Sequence, residues 1–508
     1  MTPSAGQARL WIANGMVVNP RDRDVHVGSG SILVEHGRIA DIRPPGASPP
    51  TDATVLDASD MIVLPGLVNG HVHSHGVLSK WLVDAMPLEI WTPYVAAGRA
   101  GLTPEEARMG ALLVGLECLR AGVTTILDHP VYDAPSFDAA AEAYLEIGIR
   151  AAVAPSVMDL PYHATVPQPR QGVPGALRSA LWASGEASIK GLLDLTVRCI
   201  ERWHGASGRL SILVGPSAPQ RCSTALLAGL ARIVSEFRVH IHTHLLETKG
   251  QALMAEQVYG GCMTTHLDHL GLLTEDLSVA HAVWVNEEDV RRLAERGVTV
   301  VHNPISNFPL GSGVMPLIAL RDAGVPLALG TDSPNSGGHH DIFESMRMAA
   351  ALPRALEPDA QKWPTAEEAF CWATLGGARA VGLEDQIGSL EVGKAADLVL
   401  LRRRTSALVP LNHLLRQFVF CERGESVDTV IVDGRIVVKD RRLYTLDEDA
   451  MLREAERVGE GLRNRTRPSF DAAQRQEAYT QAVYAVVKEA SGPTPLWQKR
   501  TRASDEQG

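Results

Sequence analysis

Eight short runs rich in β-branched residues recur through the middle of this chain, most of them followed by a longer stretch with helical spacing, and few architectures accommodate that alternation. The runs are the one ending at His73, then "AGVTTILD" (121–128), "RAAVAPSV" (150–157), "LSILVGPSAP" (210–219), "RVHIHTH" (238–244), "LSVAHAV" (277–283), "VTVVHNP" (298–304) and "VPLALGTD" (325–332). In the stretch "TPEEARMGALLVGLECLRAG", Thr103 can cap a helix, Pro104 suits its first turn and Gly122 can end it. Eight strand-helix units predict an α/β fold built on a parallel, TIM-like (β/α)8 barrel, with its chemistry at the C-terminal ends of the strands.

The two ends of the chain share a different grammar. "LWIANGMVV" (10–18) and "GSILVEHGRIADIRP" (30–44) are strands punctuated by glycine, with His36-Gly37 placed as a hairpin turn would be. "KAADLVLL" (394–401) and "DTVIVDGRIVV" (428–438) repeat it, and "DGRIVV" echoes "HGRIAD". The expectation is a small β-sandwich assembled from residues 1–62 and 386–445, with the barrel at 63–385 between them and a helical tail at 446–508 whose end frays from about residue 491. Residues 160–190, proline-rich and too long for a plain connection, predict a loop with a short helix above the barrel mouth.

Several function classes drop out. A net charge of -11 repels phosphate backbones, and the one basic cluster, "RRR" at 402–404, is short enough for a solvated patch, so no nucleic-acid partner is expected. No apolar run is long enough to cross a bilayer and the N-terminus lacks a signal-peptide pattern, so the expected location is cytoplasmic, away from membranes. The six cysteines are scattered without CxxC pairs, which suits reduced, buried thiols. Any metal would need His and carboxylate ligands.

Such residues cluster at strand ends. In "GLVNGHVHSHG" (66–76) the alternation sends His71, His73 and His75 to one side of a strand, and "RVHIHTHLLET" does the same for His240, His242 and His244, followed by Glu247. "LALGTDS" ends in Asp332. If these faces are the barrel interior, two His from one strand, one from another and an Asp from a third make a mixed N/O set that suits zinc, or alternatively iron(II), with an open position for water. A water so held has its pKa lowered to about 7. His240 and His242, deeper on their strand, read better as packing or hydrogen-bonding groups behind the ligands.

In chain order, "PGLVNGHVH", "HLLET", "VAHAV", "HNPISNFPLGSG", "AGVPLALGTDS" and "IGSLEVGKAADLVLL" resemble the amidohydrolase superfamily over nearly the whole chain. Within it the pattern resembles the mononuclear aminohydrolase branch of cytosine, guanine and S-adenosylhomocysteine deaminases and triazine hydrolases. The resemblance implies His71, His73, His244 and Asp332 as ligands of one divalent metal. It implies Glu247 as the acid that protonates the substrate's ring nitrogen, His281 as the group that orients hydroxide or substrate oxygen, and Asp332 as the acceptor of the water proton. Binuclear relatives use a carboxylated lysine at the fourth strand, which "LSILVGPSAP" lacks; Lys190 lies in the insertion. His75, Trp91, His129 and Asn307 are candidates for substrate contact, while Asn303 and Ser306 suit hydrogen bonds to loop backbone equally well.

The implied activity is hydrolytic removal of an amino group from a small N-heterocycle (purine, pyrimidine, pteridine or triazine) with release of ammonia. Alternatives are opening of a cyclic amide or urea, displacement of an alkylamine or halide, or an inactive binding protein, which the complete ligand set argues against. Adenosine-type deaminases of this branch generally carry His after the proline at the end of strand four, where this chain has Ser217, a departure that points away from nucleosides. Relatives commonly form dimers or larger assemblies, so the resemblance allows a homo-oligomer.

Overall fold

In the computed structural model the described residues are 9–22, 24–84, 86–171, 173–182 and 187–497. The chain opens with β1 (Leu10–Arg21), β2 (Asp24–Glu35), β3 (Arg38–Arg43), β4 (Thr54–Asp57) and β5 (Met61–Pro65). The middle supplies β6 (Leu67–Val72), β7 (Val123–Asp128), β8 (Arg150–Val153), β9 (Ser156–Val157), β10 (Leu210–Ile212), β11 (Gly215–Pro216), β12 (Ile241–Leu245), β13 (Leu277–His281), β14 (Thr299–His302) and β15 (Leu327–Leu329). Then come β16 (Leu398–Arg402), β17 (Val427–Val432), β18 (Arg435–Lys439) and β19 (Arg442–Leu443).

Strands from both chain ends form one nine-stranded sheet in the order β19-β18-β17-β16-β5-β1-β2-β3, with β4 also on β1. The turns responsible are the two read from sequence. His36 and Gly37 hold φ of 52° and 75°, and Asp433 and Gly434 hold 51° and 73°; two consecutive left-handed residues are what a type I′ hairpin turn demands. Ile12, Ile32, Ile39, Val63, Leu398, Leu400 and Ile431 pack into an apolar cluster of their own against this sheet. The expected boundary at residue 62 falls inside β5, which pairs with β1 and β16 as far as Pro65.

The eight alternating runs become parallel strands. β6, β7, β8 and β10 pair in one parallel sheet and β12, β13, β14 and β15 in another. Single parallel bridges, Val214 to Ile241 and Val72 to Asp332, join the two on both sides, so parallel pairing runs round all eight. These strands read as near-continuous buried residues, as expected where both faces are covered. Helix α1 (Leu88–Gly98) follows the first strand, and α2 (Pro104–Arg120) starts on a capping box in which Thr103 accepts from the Glu106 amide and Glu106 accepts from the Thr103 amide.

Part of the 160–190 insertion forms a helix, Gly175–Trp182; residues 172 and 183–186 lie outside the described residues. Val166 and Leu177 of this segment pack with Tyr479 and Val483 of the tail. The tail consists of helices Glu448–Arg475 and Glu477–Glu489, folded back over α1 and α2, where Arg465 donates to Glu106 and to the Ala100 carbonyl. The part of the tail predicted to fray reaches from 491 into 498–508, which lie outside the described residues. No described helix is long and apolar enough to cross a membrane, and the six cysteines are all free.

Candidate metal centre and active site

Strand geometry alone aims the histidines. His71 ends β6 with Val72 and His73 follows it, so the two-residue period presents both rings to the same side, with centroids 4.7 Å apart. His244, near the end of β12, stacks on His73 and His281, the last residue of β13, at centroid distances of 5.2 and 5.5 Å. Asp332 reaches them because its amide donates to the His71 carbonyl at 2.8 Å, the bridge that joins the last strand to the first. Gly330 permits that approach: a Cβ there would meet Asn303 Oδ1 at 2.3 Å and the His71 nitrogen at 3.0 Å. His281 and Asp332 hold φ of 78° and 62°, left-handed conformations that non-glycine residues seldom adopt and that concentrate at functional sites.

Ligand-type atoms of His71, His244 and His281, of His71, His73 and Asp332, and of Glu247, His281 and Asp332 each gather within 4.8 Å of one another. Asp332 Oδ1 lies 3.5 Å from His71 Nε2 and 3.4 Å from His73 Nε2; Oδ2 lies 3.7 Å from His281 Nε2, which in turn is 3.9 Å from Glu247 Oε2. The groups behind the rings assign their tautomers. Nδ1 of His73 donates to the His129 carbonyl (2.8 Å) and Nδ1 of His244 to the Ser217 carbonyl (2.5 Å), so each turns an unprotonated Nε2 inward. Nδ1 of His281 donates to Asn307 Oδ1 at 2.8 Å.

His71 is set by a longer chain. The Ser278 hydroxyl donates to the Ile241 carbonyl, so it accepts from His242 Nδ1 at 2.8 Å; His242 Nε2 then accepts from His71 Nδ1, also at 2.8 Å. That leaves His71 Nε2 as a lone pair, and both it and His281 Nε2 are buried without a hydrogen-bond partner. Buried polar atoms without partners are rare and call for one, and inward lone pairs on imidazoles beside a carboxylate are the donor set of a divalent metal. The residues fit the group. Burial keeps the imidazoles neutral, as ligation requires: it lowers the pKa of His71 to about 4 and that of His244 well below its ordinary value.

The carboxylates diverge. Burial pushes Asp332 upward, but its closeness to the His71, His281 and His73 rings outweighs this and holds it well below the usual range. Its Oδ2 also accepts from the Ser306 hydroxyl at 2.6 Å. Glu247, buried and lying beside Asp332 charge, is raised in spite of His281, and its backbone amide is held by Gln251 Oε1 at 2.9 Å. Two nearby acids pushed in opposite directions can divide the roles of base and acid.

The cleft over these groups is lined by His73, His244, Glu247, His281 and Asp332, together with His75 and Trp91. His129 and Asn307, read from sequence as candidates for substrate contact, lie behind the candidate ligands instead, 0% and 1% exposed, His129 donating to the Ala154 carbonyl and Asn307 accepting from His281. His240 stays outside the cluster beside Asp276, and Lys190 is exposed and paired with Asp194. Sequence reading passed over Gln251, Arg99 and Arg221, which also line the cleft; polar residues on helix ends carry no period that would mark them. A larger cavity of about 690 Å³ lies alongside, between Trp284 and the Tyr484 helix, but none of the metal-ligand candidates lines it.

A model of the amidohydrolase family matches residues 62–437. A 5-methylthioadenosine/S-adenosylhomocysteine deaminase from Desulforudis audaxviator is 36% identical over 459 residues, covering 89% of this chain and 99% of the relative. A 5'-deoxyadenosine deaminase from Methanosarcina mazei is 32% identical over 460 residues, 90% of this chain and 98% of the relative. Among solved structures, an adenosine deaminase from Xanthomonas campestris with bound zinc matches with a TM-score of 0.79 at 29% identity, over 90% of this chain and 99% of that one.

Proposed function

Because this chain belongs to the amidohydrolase family, a family of hydrolytic enzymes, and acts on carbon–nitrogen bonds, we propose that it removes the amino group of an aminopurine-type N-heterocycle and releases ammonia, with one zinc ion per chain. The observation that carries the reading is the set of inward lone pairs beside two carboxylates of opposed tendency. The relatives named above act, by name, on adenosine-type compounds, and they outweigh the departure at Ser217 that pointed away from nucleosides. We read the continuous parallel pairing of β6 to β15 as the (β/α)8 barrel and the nine-stranded sheet as the small sandwich beside it.

His71, His73, His244 and Asp332 would hold the metal. When bound, it supplies the nucleophile by letting water ionise near neutral pH. Asp332, kept anionic, takes the proton released by the attacking water. Glu247, whose burial favours its protonated form, gives its proton to the ring nitrogen as the carbon becomes tetrahedral. His281, held by Asn307 and facing both carboxylates, orients the incoming oxygen. Asp332 then passes its proton to the amine, the carbon–nitrogen bond breaks and ammonia leaves. The new hydroxyl returns its proton to Glu247, and the ring nitrogen keeps the one it received.

The test is ammonia release by zinc-loaded protein from amino-substituted purines, pyrimidines, pteridines and triazines, with metal per chain measured on the same sample. Ammonia from a purine, lost by a factor of about 100 or more in Glu247→Gln, supports the proposal. Bound metal with no ammonia from any compound refutes it and favours a cyclic amide or urea.

A further inference from the structure

The two oxygens of the Glu247 carboxyl do not have the same surroundings. The chain leaves β12 through Leu246, whose φ of 47° is left-handed, and Thr248 then caps the helix Lys249–Tyr259. "TKGQ" (248–251) has the spacing of a capping box, in which Gln251 would reach back to the Thr248 amide. It reaches one residue further. The buried Gln251 side chain accepts from the Glu247 amide through Oε1 at 2.9 Å, and because an N–H must meet an oxygen, Nε2 is the atom that faces Glu247 Oε2, at 3.4 Å. Among the described residues this amide is the one hydrogen-bond donor to the carboxyl. His281 Nε2 stands 3.9 Å from the same oxygen but turns a lone pair toward it, since its proton is on Nδ1 and goes to Asn307. The start of the helix is itself held: the Thr248 hydroxyl accepts from the Gln251 amide at 3.4 Å and donates to Glu89 Oε1 at 2.7 Å. Gly250 leaves the room for this, since a Cβ there would meet that Glu89 oxygen at 2.3 Å.

We propose that Gln251 is the positioning residue of the acid: its side-chain amide spans the backbone and the carboxyl of Glu247, holds Oε2, and leaves Oε1 to deliver the proton to the ring nitrogen. As that proton leaves Oε1, negative charge spreads onto Oε2 and the bond from Gln251 Nε2 becomes charge-assisted. The bond therefore strengthens in the transition state more than in the bound substrate, which is the condition for lowering the barrier. The role of Glu247 rests on the aminohydrolase reading, but the clamp can be measured without turnover.

The first measurement is ammonia release by the zinc-loaded full chain from the purine that serves it best, in wild type, Gln251→Met, Glu247→Gln and the double variant. Gln251→Met keeps the shape but neither donor nor acceptor, and should lower kcat about 10- to 100-fold with KM changed less than about threefold. Added to Glu247→Gln it should cost almost nothing more, because it acts only through that carboxyl; a merely structural role would cost the same in both backgrounds. Metal content and Tm check the fold, and Gln251→Ala, expected to behave alike, replaces that variant if it does not fold. The second measurement is infrared difference spectroscopy of the zinc-loaded protein without substrate, where the carboxyl bands lost in Glu247→Gln should shift in Gln251→Met as Oε2 loses its donor. Unmoved bands, a kcat within about twofold of wild type, a loss confined to KM, or an equal loss in both backgrounds overturns the proposal. Shifted bands with no ammonia from any compound uphold the clamp and overturn only the deaminase reading.

Discussion

His71 and His73 owe their position to the two-residue period of a strand, but their readiness for a cation comes from the groups behind them. Replacing His73 or Asp332 with Ala should reduce bound metal from about one per chain to a small fraction and abolish turnover; full metal content in either variant would remove it from the ligand set. The relay from Ser278 through His242 makes a subtler prediction: His242→Ala keeps every ligand yet should lower metal affinity about 10- to 100-fold in a chelator competition, since His71 loses the acceptor that fixes its tautomer. Glu89 gives a pH prediction. Burial raises its pKa above the ordinary 4.5, so the folded chain holds that proton more tightly than the unfolded one, and its contribution to stability, present below about 4.5, is lost as pH rises through the raised value. Glu89→Gln should therefore raise Tm relative to wild type at pH 8 and not at pH 4; an advantage equal at both would show that Glu89 does not titrate across that range. The candidate ligands were legible because HxH and GTD are local; the place of Arg99 and Arg221 in the cleft lining was not, because it depends on how α1 and the Pro219–Arg221 turn pack over the strands.

At the scale of elements, the two hairpins were readable from His36-Gly37 and Asp433-Gly434, since only certain residues tolerate consecutive left-handed conformations. What joins the end-built sheet to the parallel strands was not readable. Arg150 of β8 donates through Nε and Nη2 to Asp397, at 2.8 and 3.0 Å, and Asp397 also accepts from the Asp433 amide at 2.8 Å, with both charged side chains nearly solvent-free. Asp397→Ala leaves the guanidinium buried with the Gly208 carbonyl at 2.6 Å and the Asp433 carboxylate at 3.9 Å as its remaining partners and should cost about 3–5 kcal/mol in denaturant unfolding, while the paired change Arg150→Met with Asp397→Leu should recover most of it. A loss no larger than that of a surface pair, up to about 1 kcal/mol, would mean water reaches the pair.

At the scale of the whole molecule, the tail is part of the site's frame: its long helix lies on α1 and α2, and α1 carries Trp91 and Arg99 into the cleft. Removing residues 446–508 should lower Tm and weaken substrate binding while leaving the ligands on the strands able to bind metal; unchanged affinity for substrate would release the tail from that role. The sequence by itself determined the alternation of strands and helices, the two glycine turns and the candidate ligands, because each depends on period or conformational tolerance within a few residues. Only the tertiary structure decided that His129 and Asn307 stand behind the candidate ligands, that His71 is set by a relay from Ser278, and that Asp332 and Glu247 diverge in acidity. Those outcomes depend on burial and on contacts between residues tens to hundreds of positions apart, and no local pattern encodes either.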